Sequence, residues 1–168
     1  HELSIKGSYN NAISIYKSII NSKASKKTAE TAIVELGNIF KANKDQTVLD
    51  FIKEFASAKA DQFELRPVAL STLGHIYSAI GDFNSALSSF ESLISLYLGT
   101  VHEPAGRLNM VYLYTSLGKY DLAKEALDIV KSKFPNDENI LSAEWYLKTF
   151  SNSSSQFVYN NSQQNTTG

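Results

Sequence analysis

The chain has 168 residues, 16 basic against 17 acidic, and no cysteine. A net charge of −1 with both signs scattered leaves no basic field for nucleic acid or an anionic membrane, and no apolar run nears the roughly 20 residues of a membrane span. Without cysteine there is neither a disulfide nor a thiolate metal site, and the length suits one domain able to bury a continuous core.

Taken in order, the chain alternates apolar stripes at helical spacing with short breaks. Leu3 to Ile20 reads as a turn near Gly7 followed by a helix carrying Ala12, Ile13, Tyr16, Ile19 and Ile20. Its partner before Gly7 is missing, so the native protein is expected to continue upstream. Thr28 to Ala42 and Thr47 to Ala60 form a helix pair around Lys44. The basic residues Lys23, Lys26 and Lys27 lie in the loop before it as solvated surface. Arg66-Pro67 opens the next helix, since proline suits a first turn. Leu73, Ile76, Tyr77 and Ile80 are its stripe, Gly81 ends it, and Phe83, Ala86, Leu87, Phe90, Leu93, Ile94 and Tyr97 belong to its partner. So short a join forces the two to lie antiparallel, with Gly74 and Ala86 letting the backbones approach. Pro104 opens another helix with Leu108, Val111, Tyr112, Tyr114 and Thr115, and Gly118 turns it into Tyr120–Phe134. Pro135 ends that helix. Asn136 is placed to cap a final one, Asp137 to Phe150, with Asp137 and Glu138 against its positive end. Residues 151–168 carry no charge, are rich in Ser, Asn and Gln, and read as a linker interrupted by Phe157-Val158-Tyr159.

The breaks repeat. GSYNNA at Gly7, GDFNSA at Gly81 and GKYDLA at Gly118 share Gly, an aromatic and Ala, and Gly81 and Gly118 stand 37 residues apart. Gly7 lies twice that distance before Gly81, which puts the degenerate copy at Lys44. Gly37 and Gly74 each precede their turn by seven residues, and Phe40, Tyr77 and Tyr114 by four. A fixed period of this size marks a helical solenoid.

Leu73-Gly74, Tyr77, Gly81, Phe83, Ala86 and Phe90 resemble the tetratricopeptide repeat, and Tyr114, Gly118, Tyr120, Ala123 and Pro135 form a second good match. The family's unit is usually 34 residues, so this chain adds three to each. Val111 stands where Gly is usual, and the Lys44 turn is degenerate. The resemblance covers Leu3 to about Phe150 and implies an all-α, right-handed superhelix of antiparallel hairpins over residues 1–150. Turns are expected near 7, 44, 81 and 118, a capping helix over 137–150, and a polar tail over 151–168.

Nothing in the sequence carries catalysis, a cofactor or a metal. His1, His75 and His102 lack ligand spacing, and no nucleophile motif or phosphate-binding loop occurs. His102-Glu103 reads as a loop pair near a helix start. Asp121, Glu125 and Asp128 share one helix face, read as solvated surface. In the family resembled, the first helices of successive hairpins line a concave groove that takes a peptide or helix of another protein. The groove is thus expected from Thr31, Val34, Asn38 and Lys41, then Ser71, His75 and Ser78, then Leu108, Tyr112 and Thr115, with Trp145 and Thr149 from the capping helix. Tyr112 and Trp145 are the anchors. Val34 and Ala105 stand where basic residues would be needed to clamp a terminal carboxylate, so no such clamp is expected. The alternative is a structural spacer or oligomerisation module, its groove filled by Phe157–Tyr159 of its own or a neighbouring copy. The tail's composition is like that of linkers in exported bacterial proteins, which favours an exported over a cytoplasmic location.

Overall fold

The structure is a computed structural model, and describes residues 2–57 and 63–164, with side chains over 6–57 and 63–154. Among the described residues every regular element is helical: α1 Glu2–Asn21, α2 Lys26–Asn43, α3 Gln46–Ala56, a 3-10 turn Phe63–Leu65, α4 Arg66–Ala79, α5 Phe83–Leu96, α6 His102–Ser116, α7 Tyr120–Lys133 and α8 Ile140–Gln164. The all-α fold of antiparallel hairpins is the one expected. The chain divides into two compact units, His1–Tyr97 and Leu98–Gly168.

In the first unit α1 packs on α2, α2 on α3 and α4, and α4 on α3 and α5. Three of the four expected turns are present, each at a left-handed residue: Lys44 at φ 58°, Gly81 at φ 81° and, in the second unit, Gly118 at φ 71°. Glycine takes this conformation without strain, whereas Lys44 takes it against the preference of an L side chain. At Lys44 the backbone N–H donates to Phe40 O at 2.8 Å, satisfying the end of α2. The Gly81 and Gly118 turns close identically, by Asp82 N–H to Tyr77 O at 2.9 Å and Lys119 N–H to Tyr114 O at 2.8 Å. Helices restart on side-chain caps: Ser25 Oγ accepts from Thr28 N–H, Asp45 Oδ1 from Thr47 N–H, and Asp82 Oδ1 from Ser85 N–H. Ile33, Leu36, Val48, Ile52 and Ile76 fill the core between α2, α3 and α4. The hairpin α4–α5 closes most tightly at Gly74, where an added Cβ would lie 2.2 Å from the Phe90 ring.

In the second unit α6 packs on α7 and α8, and α7 on α8, around Val111, Ala123, Val130 and Ala143. Glu103 belongs to this core and is no loop residue: it sits in the first turn of α6 with 1% of its surface exposed. Its Oε2 accepts the Gly99 N–H at 2.7 Å, and its Oε1 accepts Arg107 Nε at 2.8 Å and Lys133 Nζ at 3.3 Å. Burial alone would raise its pKa, but these donors outweigh it and hold the carboxyl below its ordinary 4.5.

Three expectations are corrected. No turn forms at Gly7, which lies inside α1 with nothing within 4 Å of a Cβ placed there. α1 runs through it unbroken from Glu2 to Asn21. Residues 151–164 are not a linker, because α8 runs on to Gln164. Its extension is held where the Tyr120 hydroxyl meets Ser154 Oγ at 2.6 Å and Phe150 O at 3.3 Å. Asp137, not Asn136, turns the chain into α8, its carboxylate accepting the Asn139 N–H at 2.9 Å. The side chains of Phe157, Val158 and Tyr159 lie outside the described ones.

Adding a methyl at the two inward and outward glycines is expected to act in opposite directions. Gly7→Ala gains about 0.5–1 kcal/mol from helix propensity. Gly74→Ala loses about 1–3 kcal/mol by crowding Phe90. Urea unfolding of both variants checks this. Glu103→Gln is expected to cost on the order of 3 kcal/mol at neutral pH by leaving two cations short of their partner. Since the folded-state pKa is depressed, the carboxylate's contribution is fully present above pH 4.5 and is lost as pH falls through the lower folded-state value. The gap between wild type and variant should therefore narrow in acid.

Candidate functional site

The 37-residue register sets which side chains meet on the first helix of each hairpin. In the first unit α2 and α4 lie side by side, and Gly37 sets their separation: a Cβ there would fall 2.5 Å from Thr72 Cγ2. Along this close seam runs a cleft of about 560 Å³, lined by Val34, Gly37, Asn38 and Lys41 of α2 and by Val68, Ser71, Thr72, His75 and Ser78 of α4. Such a volume admits several side chains of a ligand rather than one. Asn38, Lys41, Ser71, His75 and Ser78 are thus brought together, as is Val34. Thr31 is exposed but does not line the cleft, and its hydroxyl donates to Lys27 O.

The cleft is chemically mixed. Val34 is 43% exposed and apolar; Asn38 and His75 are exposed, while Lys41, Ser71 and Ser78 are half-buried. Ser78 Oγ donates back to Gly74 O, so its remaining capacity is as an acceptor. The His75 ring stands 5.6 Å from that of Phe90, edge to face. It is open to solvent at one edge and crowded elsewhere. Loss of hydration is the larger cause, and the charge of Lys41 the smaller, that push its pKa below the ordinary 6.5.

The second unit has a counterpart between α6 and α8, lined by Tyr112, Leu141, Ser142, Trp145 and Tyr146. Four of these five stand 74 residues, two repeats, after lining residues of the first cleft: Tyr112 after Asn38, Ser142 after Val68, Trp145 after Ser71, and Tyr146 after Thr72. Trp145 is 67% exposed, so it does not close the core against Phe134. Tyr112 and Tyr146 meet edge to face at 5.0 Å, and Phe150 continues the row 4.6 Å from Tyr146. Two expected groove residues are elsewhere. Leu108 is 4% exposed and Thr115 2%, both inside the unit. Leu108 stands one repeat after Ser71, but its longer apolar side chain turns into the core with Val111 and Val130. Thr149 is exposed on α8 away from the cleft. Leu141, 76% exposed, was not anticipated as a lining residue; its spacing four before Trp145 was the available signal.

The second helices carry the outer faces. Asp121, Glu125 and Asp128 line a shallow surface on α7 together with Lys124 and Lys133. Among the described residues no set of three His, Cys, Asp or Glu is placed to hold a metal ion. No described helix is long and apolar enough to cross a membrane.

Two stretches match the tetratricopeptide repeat, residues 68–99 and 106–137. They coincide with the hairpins α4–α5 and α6–α7, each turning on a left-handed glycine. These two hairpins are tetratricopeptide repeats. Tetratricopeptide repeats generally mediate protein–protein interaction, as non-catalytic scaffolds. No curated protein and no solved structure matches the chain.

His75 is expected to be neutral at pH 7, with an imidazole titration midpoint below 6.5. Lys41→Met should move that midpoint partway back up, since it removes only the smaller of the two causes. Proton NMR of the ring across pH 4.5–8 reads both.

Proposed function

We propose that this tetratricopeptide-repeat chain is a non-catalytic scaffold that binds a peptide or helix of another protein along its first-helix clefts. In the first unit Asn38, Lys41, Ser71, His75 and Ser78 make the contact, and in the second Tyr112, Trp145 and Leu141 are the anchors. One observation supports this above the others: both units line a cleft with side chains at the same register positions, two repeats apart, and those side chains differ in chemistry. Packing residues at equivalent positions are alike, Gly81 and Gly118 or Ala86 and Ala123. Asn38 and Tyr112, or Ser71 and Trp145, are not, as befits positions that answer to a ligand and not to the fold. The row Tyr112, Tyr146 and Phe150 supplies rigid aromatic area, and the exposed Trp145 lines the same cleft.

Photo-crosslinking tests this reading. Benzoylphenylalanine replacing Ser71 or Ser142 should give discrete adducts with a partner protein in the cells that make the chain. The same group at Lys124, on the outer face of α7, should give none. Trp145→Ala should weaken capture of that partner by roughly tenfold or more. Adducts from Lys124 alone would remove the clefts as the binding surface.

A further inference from the structure

The cleft of the first unit has an electrostatic character that narrows its ligand. Among the described residues, Lys41 is the one charged side chain lining it, and no carboxylate does. The helices around His75 carry other charges, namely Lys26, Lys27, Glu30 and Glu35 on α2, Asp50, Lys53 and Glu54 on α3, Arg66 on α4, and Glu91 on α5. None of these lines the cleft, and Lys41 is the charge that acts on His75. The remaining polar lining, Asn38, Ser71, Thr72 and Ser78, is neutral. A neutral or basic segment would give Lys41, a half-buried residue, no counter-charge, whereas an acidic one would supply it.

We propose that the α2–α4 cleft takes an internal acidic segment of the partner, and that Lys41 and His75 together make this capture tighten as the pH falls. The inference rests on the cleft being the binding surface. In the free cleft the imidazolium form of His75 is disfavoured, chiefly by loss of hydration and in smaller part by the charge of Lys41. A carboxylate beside Lys41 replaces that repulsion with attraction, so the bound state holds a proton on His75 that the free state lacks. Binding that takes up a proton strengthens as pH falls through the interval between the free and bound titration midpoints. It weakens again below about pH 4, where the ligand's own carboxylates protonate.

The test uses the full chain and a displayed library of random dodecapeptides panned at pH 5.5. Winners are synthesised with acetylated and amidated ends, so that terminal charges play no part. Those that lose binding to Ser71→Trp, which fills the cleft without adding charge, are cleft ligands. They are expected to carry Asp or Glu and to bind at least about threefold tighter at pH 5.5 than at pH 7.5. Lys41→Met should weaken them. In His75→Asn the ratio between the two pH values should fall to one, whatever the absolute affinity. In the wild-type chain, independently of any variant, bound peptide should raise the His75 titration midpoint by NMR. Cleft ligands without acidic residues, or acidic ones with equal affinity at both pH values and an unmoved His75, overturn the inference and leave the cleft standing as a binding surface. If no winner depends on an open cleft, the cleft reading fails and this inference with it.

Discussion

Two helices joined by two or three residues must turn back on one another, and the stride of those turns dictates everything the chain presents to solvent. Lys44, Gly81 and Gly118 each take a left-handed conformation that stops one helix and aims the next, and they recur every 37 residues. Because the stride is constant, the turn and close-packing positions recur in each repeat, whereas positions beside them differ: Ser71 lines a cleft and Leu108, one repeat on, is buried. Gly74 beneath Phe90 and Gly37 beneath Thr72 show how close the packing becomes. Interiors at this density tolerate little variation. The variation is displaced to the first-helix clefts, where Asn38 can become Tyr112 and Ser71 can become Trp145 without disturbing a core.

That separation of roles explains why the fold was legible and the site less so. Glycine and proline at fixed offsets announced the hairpins, and register alone placed the Lys44 turn where the local motif had decayed. The same motif misled at Gly7. Gly7 lies inside a continuous α1, with nothing within 4 Å of a Cβ placed there, so the Gly-aromatic-Ala motif alone does not make a turn. Composition misled in the tail. Ser, Asn and Gln read as linker when counted, yet Tyr146, Phe150 and the Tyr120 hydroxyl continue α8 by tertiary contact. At the site, Asn38, Lys41, Ser71, His75 and Ser78 followed from helical spacing beside the packing stripe. Leu108 and Thr115 satisfied the same spacing and are buried inside the second unit, which spacing alone does not reveal.

Charge is used sparingly and in two opposed ways. Glu103 is withdrawn from water but surrounded by the Gly99 N–H, Arg107 and Lys133, so its charge is matched inside the unit and fixes the start of α6 against α7. Lys41 is half-buried in a cleft that supplies no carboxylate, with a histidine beside it that resists becoming a second cation. One arrangement is matched within the chain, and the other meets no carboxylate among the described residues that line its cleft. On α8, Lys148 stands two repeats after Gly74, and Glu144 is paired with Lys131 at 2.9 Å.

The central claim is that the first-helix clefts are where another protein meets this chain. Its most direct measurement is backbone amide NMR of the isotopically labelled chain with the captured partner added, by cross-saturation from partner to chain. Saturation concentrated at Asn38, Lys41, Ser71, His75 and Ser78, and at Tyr112, Ser142 and Trp145, is the result expected. Saturation confined to the outer face of α7 around Asp121, Glu125 and Asp128, with the cleft amides untouched, would contradict it.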